Sequence, residues 1–164
     1  LKIKMTYYDD ISDGYEELHM KEQLQKIKLI KKYFNPNPLN KLLDVGCGTG
    51  LTTEPWNCKR FGVDPAKKLI ERARQKKIIE YSVAPAEKIP YPDNYFDYVV
   101  SITAIQNFSD IKKGLNEIKR VGKESFVLTY LKRSQNAELI DNLINNIFNV
   151  KKRIEEKKDI IYFI

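Results

Sequence analysis

The nonapeptide LLDVGCGTG, which begins at residue 42, carries the residues best suited to binding a ligand. Gly46, Gly48 and Gly50 permit positive φ angles and allow a ligand to approach bare backbone closely. Their spacing is G-x-G-x-G, whereas a dinucleotide fingerprint needs its third glycine one position later, and no Gly-Lys-Ser/Thr of a phosphate-binding loop follows. Asp44 precedes the first glycine, and its carboxylate would repel a pyrophosphate but attract an ammonium group. The loop therefore predicts a phosphate-free cofactor with a positively charged end.

Two further residue types in this region could do chemistry. Asp64, before Pro65 at the end of a predicted strand, could accept hydrogen bonds from two adjacent hydroxyl groups, or could be an ordinary turn carboxylate. Cys47 could be a reactive thiol, but with no base nearby a small residue that merely fits the loop is the simpler interpretation. The chain contains only two cysteines, Cys47 and Cys58, and one histidine, His19. These are too few for a disulfide framework or for a zinc site built from this chain alone.

Length, charge and hydropathy limit the class of protein. The 164 residues fit one domain, and we find neither an apolar run long enough for a membrane helix nor a signal peptide, so we expect a soluble, cytoplasmic protein without membrane contact. The net charge is +7, from 29 Lys and Arg against 22 Asp and Glu. This balance favours a polyanionic partner such as RNA, although lysines at helical spacing also occur on any solvated helix face.

Apolar periodicity divides the chain into short strands and amphipathic helices that would position these residues. Helices are predicted at 13–34, 66–77, 111–121 and 134–147. The first of these follows an irregular segment at 7–10 and has an apolar stripe of Met20, Leu24, Ile27, Ile30 and Phe34. Strands are predicted at 41–45, 59–63, 78–83, 95–102, 125–131, 148–154 and 159–164. The alternation indicates an α/β fold with a seven-stranded, mainly parallel sheet, an antiparallel last strand and helices on both faces. Pro55 should shorten the first crossover helix and leave Trp56 as a packing lid.

Four segments together resemble the class I S-adenosylmethionine-dependent methyltransferases, within their broad type 11 group. These are LLDVGCGTG (42–50), FGVDPAKKLIERAR (61–74), APAEKIPYPDNYFDYVV (84–100) and LNEIKRVGKESFVLT (115–129). The resemblance implies a Rossmann-like single domain over 1–164, with a lid segment and helix at 1–36 and a core at 41–164. It also implies S-adenosyl-L-methionine as cofactor and a methyltransferase activity.

The resemblance assigns cofactor contacts residue by residue. The implied cofactor-binding residues are Tyr8, Asp44, Gly46, Cys47, Gly48, Gly50, Asp64, Pro65, Ala86, Glu87 and Ser101. Asp64 would bind the ribose hydroxyls, and Asp44 with the glycine loop would face the methionine end, unless Asp44 only caps the loop. Many relatives carry an aspartate where this chain has Pro85, so Glu87 or the Ala86 backbone would meet the adenine, unless Glu87 is a surface residue.

The methyl acceptor is less well defined, because methyl transfer needs mainly alignment of a nucleophile with the methyl carbon. No Asn/Asp-Pro-Pro-aromatic motif follows the fourth strand, which argues against amide or exocyclic amino acceptors. Ser101, Thr103 and Gln106 could line the acceptor pocket, and His19 and Gln23 could reach the cofactor or the acceptor, but no catalytic base is assigned. RNA or a translation-related protein is favoured over a small molecule.

A partner protein is the last expectation. The domain resembles methyltransferase subunits that pair with a small zinc-binding activator protein, and such a partner could add strands to the exposed edge strand predicted at 78–83. A non-catalytic S-adenosylmethionine-binding or scaffold subunit is the alternative to an enzyme.

Overall fold

The computed structural model describes residues 2–76 and 78–164, except for the side chains of residues 2–13 and of residue 15. The helices are α1 (Lys2–Ile30), α2 (Lys67–Ala73), α3 (Ile111–Val121) and α4 (Ala137–Ile147), and a 3₁₀ turn covers Ile105–Asn107. The strands are β1 (Lys41–Val45), β2 (Lys59–Asp64), β3 (Glu80–Val83), β4 (Phe96–Ser101), β5 (Gly122–Leu131), β6 (Lys152–Glu155) and β7 (Asp159–Phe163). The chain divides into two compact units, Leu1–Asn35 and Pro36–Ile164. The predicted division into a lid segment at 1–36 and a core at 41–164 stays a prediction.

The first unit consists mainly of α1. The predicted start at residue 13 and the irregular segment at 7–10 are wrong, because the helix begins at Lys2. Residues 2–13 contain no proline, and an established helix extends by one hydrogen bond for each residue added. The helix ends at Ile30, four residues earlier than predicted, and a turn at 31–33 leads to Asn35 and Pro36.

The buried face of α1 differs from the predicted apolar stripe. Met20 and Leu24 are 46% and 44% exposed. The buried side chains of the first unit are Gln23, Lys26, Ile27, Ile30 and Phe34, which recur at helical steps of three and four. The Lys26 ammonium donates to Gln23 Oε1 at 3.3 Å, so the buried amine keeps a polar partner. The long side chains of Gln23 and Lys26 are thus buried, whereas Met20 and Leu24, which hydropathy predicts to be buried, are exposed.

The second unit is built on a seven-stranded sheet in the order β3-β2-β1-β4-β5-β7-β6. β1 to β5 are parallel, and β7 runs antiparallel to both β5 and β6, which confirms the predicted fold class. From β1 the chain first adds strands on one side, β2 and β3, and then crosses to add β4 and β5 on the other. The strand order therefore reverses between β1 and β4, and the carboxyl edge at this point is where α/β sheets bind ligands.

Helices cover both faces of this sheet. Gly62 and Val63 are consecutive in β2 and therefore face opposite sides. Val63 belongs to a large apolar cluster that α3 and α4 complete with Leu115, Ile118, Ile140 and Ile144. Gly62 faces a smaller cluster, formed by Cys47, Ile70, Ala73, Ile79 and Tyr81, in which α2 packs. A Cβ at Gly62 would lie 2.7 Å from the Tyr81 ring, so the close packing of this layer requires glycine.

Several boundaries differ from the predicted ones by two to four residues. α2 and α4 are shorter than predicted, β3 begins at Glu80, and β5 begins at Gly122. Gly122 follows the last residue of α3, and its φ of −94° lies outside the left-handed region. It is glycine because a Cβ would lie 2.5 Å from the Phe126 ring and 2.8 Å from Val99. Asp110 caps α3, since its carboxylate accepts the Lys113 N–H at 3.0 Å.

The connection between β1 and β2 contains turns in place of a helix, which agrees with the short crossover expected from Pro55. Trp56 is 2% exposed, and its indole N–H donates to the Thr52 carbonyl at 2.8 Å. The ring therefore packs in this connection and closes it with one hydrogen bond. Within the part of the chain that the structure describes, the helices are either too short or too polar to span a bilayer.

Candidate functional site

The glycine loop folds back over the end of β2. Gly46, Gly48 and Gly50 have φ angles of 78°, 55° and 90°. The Gly46 N–H donates to the Val63 carbonyl at 2.8 Å, and the Gly48 N–H donates to Asp64 Oδ2 at 3.0 Å. Because these N–H groups are used within the protein, they are not free to form the row of donors that a pyrophosphate requires. The loop geometry thus agrees with a ligand that lacks phosphate.

Gly46 also brings the loop after β1 against the loop after β4. A Cβ at position 46 would lie 2.5 Å from the Ala104 Cβ, which is closer than two carbon atoms can approach without displacement. These two loops leave neighbouring strands at the point where the strand order reverses. The absence of a side chain at Gly46 is therefore what allows the two loops to form one wall of a cavity.

Asp64 occupies the end of β2 beside this cavity. Its side chain is held in place, because Oδ1 accepts the Ala66 N–H at 2.9 Å and Oδ2 accepts the Gly48 N–H at 3.0 Å. Each carboxylate oxygen offers about two acceptor positions, so each retains one after these bonds. A pre-oriented carboxylate with one remaining position on each oxygen fits a vicinal diol, such as the two hydroxyls of a ribose.

Asp44 lies in β1 and is completely buried. Its Oδ2 accepts hydrogen bonds from the Thr52 and Thr53 hydroxyls at 2.7 and 2.8 Å, whereas Oδ1 has no hydrogen-bond partner among the described residues. Burial raises the pKa of Asp44 from 3.8 to about 6; the two threonine bonds oppose this rise, and the nearby Asp64 charge adds to it. A buried acceptor without a donor, on a carboxyl group that is costly to ionise, suits a cationic group at the glycine loop.

A cavity of about 300 Å³ opens beside the glycine loop, at the carboxyl edge of the sheet. Its lining residues are Gly46, Asp64, Pro65, Pro85, Ala86, Glu87, Thr103, Ala104, Asn107, Phe108 and Ser109. Carboxylate, hydroxyl and amide side chains share this lining with the apolar side chains of Pro65, Pro85, Ala86, Ala104 and Phe108. This combination fits a nucleoside, whose sugar is polar and whose base is flat and largely apolar. The acceptor groups of Asp64 and Asp44, together with the apolar part of the cavity, thus fit S-adenosylmethionine.

Five of the eleven predicted cofactor residues line this cavity: Gly46, Asp64, Pro65, Ala86 and Glu87. Gly48 and Gly50 do not line the cavity, but their positive φ angles determine the shape of the loop. The side chain of Tyr8 lies outside the described residues.

Asp44, Ser101 and Cys47 do not line the cavity, and Asp44 is completely buried behind the glycine loop. The Ser101 hydroxyl is buried and donates to the Val45 carbonyl at 2.8 Å, so it joins β4 to β1. Cys47 is 3% exposed, and burial raises the pKa of its thiol well above the usual range. A thiol held neutral in this way is a poor nucleophile, which favours the interpretation of Cys47 as a small residue that fits the loop.

Sequence reasoning missed most of the cavity wall that follows β3 and β4. The missed residues are Pro85, Ala104, Asn107, Phe108 and Ser109. The available signal was their position, since all of them follow the carboxyl ends of strands near the point of reversal. Phe108 shows why the sequence alone was insufficient: a Cβ at Gly114, on α3, would lie 2.5 Å from its ring. Only the tertiary structure shows that the lack of a side chain at Gly114 leaves space for the Phe108 ring beside the cavity.

The loop after β3, which carries Ala86 and Glu87, is tied firmly to α3. The Arg120 guanidinium donates to the Ile89 and Tyr91 carbonyls at 3.0 and 2.9 Å, and Glu117 accepts the Ile89 N–H at 2.9 Å. The hydrogen bond from Arg120 lowers the pKa of Glu117. Glu87 Oε1 accepts the Asp110 N–H at 2.9 Å. Glu87 is therefore partly committed to the start of α3, and its position beside the cavity does not depend on a ligand.

Thr103 is the most constrained residue of the cavity wall. Its φ is 55°, which is unusual for a β-branched residue and stores strain on the order of 1 kcal/mol. The Thr103 N–H donates to Thr129 Oγ1 at 2.8 Å, and its hydroxyl donates to Asp159 Oδ2 at 2.7 Å. The Gln106 amide donates to the Thr103 carbonyl at 2.9 Å. Residues of β5 and β7 therefore hold the loop after β4 in its strained conformation, and we call Thr103, Thr129 and Asp159 the clamp.

Comparison with known proteins adds a family assignment to this geometry. A family model described as a methyltransferase domain matches residues 43–128. The uncharacterized protein MJ1252 of Methanocaldococcus jannaschii is 27% identical over 160 residues, which are 94% of this chain and 62% of that protein. The chain thus spans less than two thirds of this relative.

Two solved structures share the fold. A SAM-dependent methyltransferase from Aquifex aeolicus has a TM-score of 0.68 at 21% identity, covering 83% of this chain and 86% of that one. A chain of the complex between the Haloferax volcanii Trm112 methyltransferase activator and a candidate methyltransferase has a TM-score of 0.64 at 21% identity, covering 73% and 57%.

Proposed function

Since the chain belongs to the methyltransferase domain family, of the class I type that uses S-adenosylmethionine, we propose that it transfers a methyl group from this cofactor to RNA or to a translation-related protein. The observation that carries the proposal is the convergence of the glycine loop, Asp64 and the apolar cavity wall at one point of the sheet edge. S-adenosylmethionine, when bound, supplies an activated methyl group on a sulfonium leaving group.

The residues of this chain would hold the cofactor by its two polar ends. The free acceptor positions of Asp64 suit the ribose hydroxyls, and Pro65, Ala86 and Phe108 provide an apolar surface for the adenine. The buried Oδ1 of Asp44 suits the ammonium group of the methionine end. The main contribution of such a site is alignment of the acceptor with the methyl group, which requires no catalytic base when the acceptor is unprotonated.

Charge supports a macromolecular acceptor. The net charge of +7 attracts polyanions, and RNA is a polyanion that also carries nucleophilic atoms. A macromolecular acceptor also brings its own surface, which can cover the cavity. We therefore place RNA first and a translation-related protein second, ahead of a small metabolite.

Two experiments test the proposal. Calorimetry with S-adenosylmethionine and S-adenosylhomocysteine should show binding that Asp64→Ala abolishes and that Glu124→Ala, an exposed carboxylate at the opposite sheet edge, leaves unchanged. Incubation of a cell extract with the protein and tritiated S-adenosylmethionine should then label a macromolecule. Loss of the label with RNase supports RNA, and loss with protease supports a protein. Label that survives both treatments would contradict the proposed acceptor class.

A second candidate function is a non-catalytic cofactor-binding subunit that acts with a partner protein. β3 forms one edge of the sheet. Its last residue, Val83, is 45% exposed and Ile78, two residues before the strand, is 87% exposed, so this edge could accept a further strand. The similarity in fold to a chain of the Trm112 complex makes a small zinc-binding activator the partner to test. Co-purification should be lost with Ile78→Asp and kept with Leu39→Asp, since Leu39 is 80% exposed elsewhere. An active protein that binds no partner would exclude this candidate.

A further inference from the structure

A basic groove of about 440 Å³ lies where β5 ends and the β6–β7 turn begins. Among the residues that the structure describes, it is lined by Leu131, Lys132, Arg133, Lys157 and Lys158, and four of these are cationic. β5 ends at Leu131, and β7 begins at Asp159. Because β7 runs antiparallel to β5, its first residue lies at the carboxyl end of β5. The groove therefore opens on the same edge of the sheet as the cofactor cavity.

The groove and the cavity are connected through the clamp. Leu131 pairs with Asp159 in the sheet, and the Lys132 N–H donates to the Lys158 carbonyl at 2.9 Å, which joins the two sides of the groove. Asp159 follows Lys158 directly and accepts the Thr103 hydroxyl at 2.7 Å, and Thr103 lines the cavity. Asp159 and its hydrogen bond to Thr103 thus connect the groove wall to the cavity wall. A chain that lay in the groove would have its next unit beside the cavity.

The charges of the groove are only partly neutralised. The Lys132 ammonium lies 3.4 Å from Glu155 Oε1, an exposed ion pair that stabilises little. Glu156 Oε1 accepts the N–H groups of Lys158 and Asp159 at 3.1 and 2.8 Å, so this carboxylate is directed towards its own turn. Among the described residues, no carboxylate forms an ion pair with Arg133 or Lys157, and both are exposed.

We propose that this groove binds the phosphate backbone of an RNA acceptor and so presents one nucleotide to the cofactor cavity; this inference rests on the proposed methyltransferase function. Arg133 can bind a phosphate with two parallel N–H donors, and Lys157 with a mobile point charge. The Leu131 side chain adds an apolar surface next to these cations. A backbone with one charge per nucleotide matches cations spread along a groove better than a single anionic metabolite does.

The test compares two double variants that remove the same charge. Arg133→Ala with Lys157→Ala removes two cations from the groove. Lys59→Ala with Lys151→Ala removes two exposed cations at the opposite edge, where β2 and β6 begin. Binding of a fluorescein-labelled oligouridylate is followed by anisotropy over a range of salt concentrations.

The two variants should differ in both salt dependence and affinity. Each cation that no longer neutralises a phosphate should reduce the steepness of log K against log salt by about 0.7. The groove variant should therefore bind roughly 25-fold more weakly at about 0.1 M salt. The control variant should bind like the unmodified protein.

Three outcomes overturn the proposal: equal weakening in both variants, no binding of oligouridylate by the unmodified protein, or stronger binding of polyglutamate than of oligouridylate. Calorimetry with S-adenosylhomocysteine on the same samples distinguishes a failure of the groove proposal from a failure of the proposed methyltransferase function. Unchanged cofactor affinity together with selective loss of RNA affinity supports the groove. Absence of cofactor binding in the unmodified protein would refute the proposed function, whereas the RNA comparison would still decide whether the groove binds phosphate.

Discussion

Ionisation of Asp44 should destabilise the folded protein as the pH rises. In the folded state burial raises its pKa to about 6, from an ordinary value of 3.8. Between these two values the folded protein holds a proton that the unfolded chain has released. The stabilising contribution of this proton is therefore complete below about pH 4 and is lost as the pH rises through about 6. At about 1.4 kcal/mol per pKa unit, the difference amounts to about 3 kcal/mol.

Urea unfolding of the unmodified protein and of Asp44→Asn, from about pH 4 to about pH 8, measures this contribution. Asparagine keeps the shape of the side chain and stays neutral. The free energy of unfolding of the variant therefore lacks the pH-dependent contribution of Asp44. Other carboxyl groups, such as Asp97 and Glu117 with their lowered pKa values, affect both proteins alike and cancel in the difference. The stability of the unmodified protein relative to the variant should fall by about 3 kcal/mol over this range. A difference that is independent of pH would refute the reasoning.

The same carboxyl group should link cofactor binding to proton release. An ammonium group near Oδ1 favours the ionised form of Asp44, so binding of S-adenosylmethionine at about pH 6 should release a fraction of a proton from the unmodified protein. Calorimetry in buffers with different ionisation enthalpies measures this release, and Asp44→Asn should not show it. Equal proton release by both proteins would mean that the cofactor ammonium group binds elsewhere, whatever the stability measurement shows.

Three further substitutions test the cavity. Gly46→Ala should lower the free energy of unfolding by about 2 kcal/mol, from the positive φ and the contact with Ala104, and should abolish S-adenosylhomocysteine binding in calorimetry; unchanged values would contradict the role of the loop. Phe108→Ala should weaken adenosine and S-adenosylhomocysteine binding by about tenfold each, since it removes a ring from the adenine surface; an equal affinity would place the base elsewhere. Asp159→Ala should destabilise by about 3 kcal/mol because it leaves the strained Thr103 without its carboxylate, whereas Asp159→Asn should retain most of the stability in thermal unfolding; equal losses would contradict the clamp.

Local patterns predicted most of the fold. The short apolar runs of β1, β4 and β5 and the periodicity of α3 depend on nearby residues, and the structure contains these elements within three residues of their predicted bounds. The extent of α1 was wrong because no local signal marked its true start. Its buried face was predicted correctly at Ile27, Ile30 and Phe34 but not at Met20 and Leu24, which are exposed while Gln23 and Lys26 are buried along their apolar stems. Burial of such side chains depends on what surrounds them, and hydropathy does not report it.

The sequence by itself determined the chemical identity of the site. The spacing of three glycines and a carboxylate two residues before them are local features that point to a phosphate-free cofactor with a positive end, and the resemblance of the Asp64 segment to the methyltransferases adds a ribose. Only the tertiary structure decided how these groups are used. It commits the Ser101 hydroxyl to Val45, and it holds Thr103 from Asp159, 56 residues away in the chain. The reason is physical: hydrogen bonds between distant residues depend on strand order and register, which arise when the whole sheet packs.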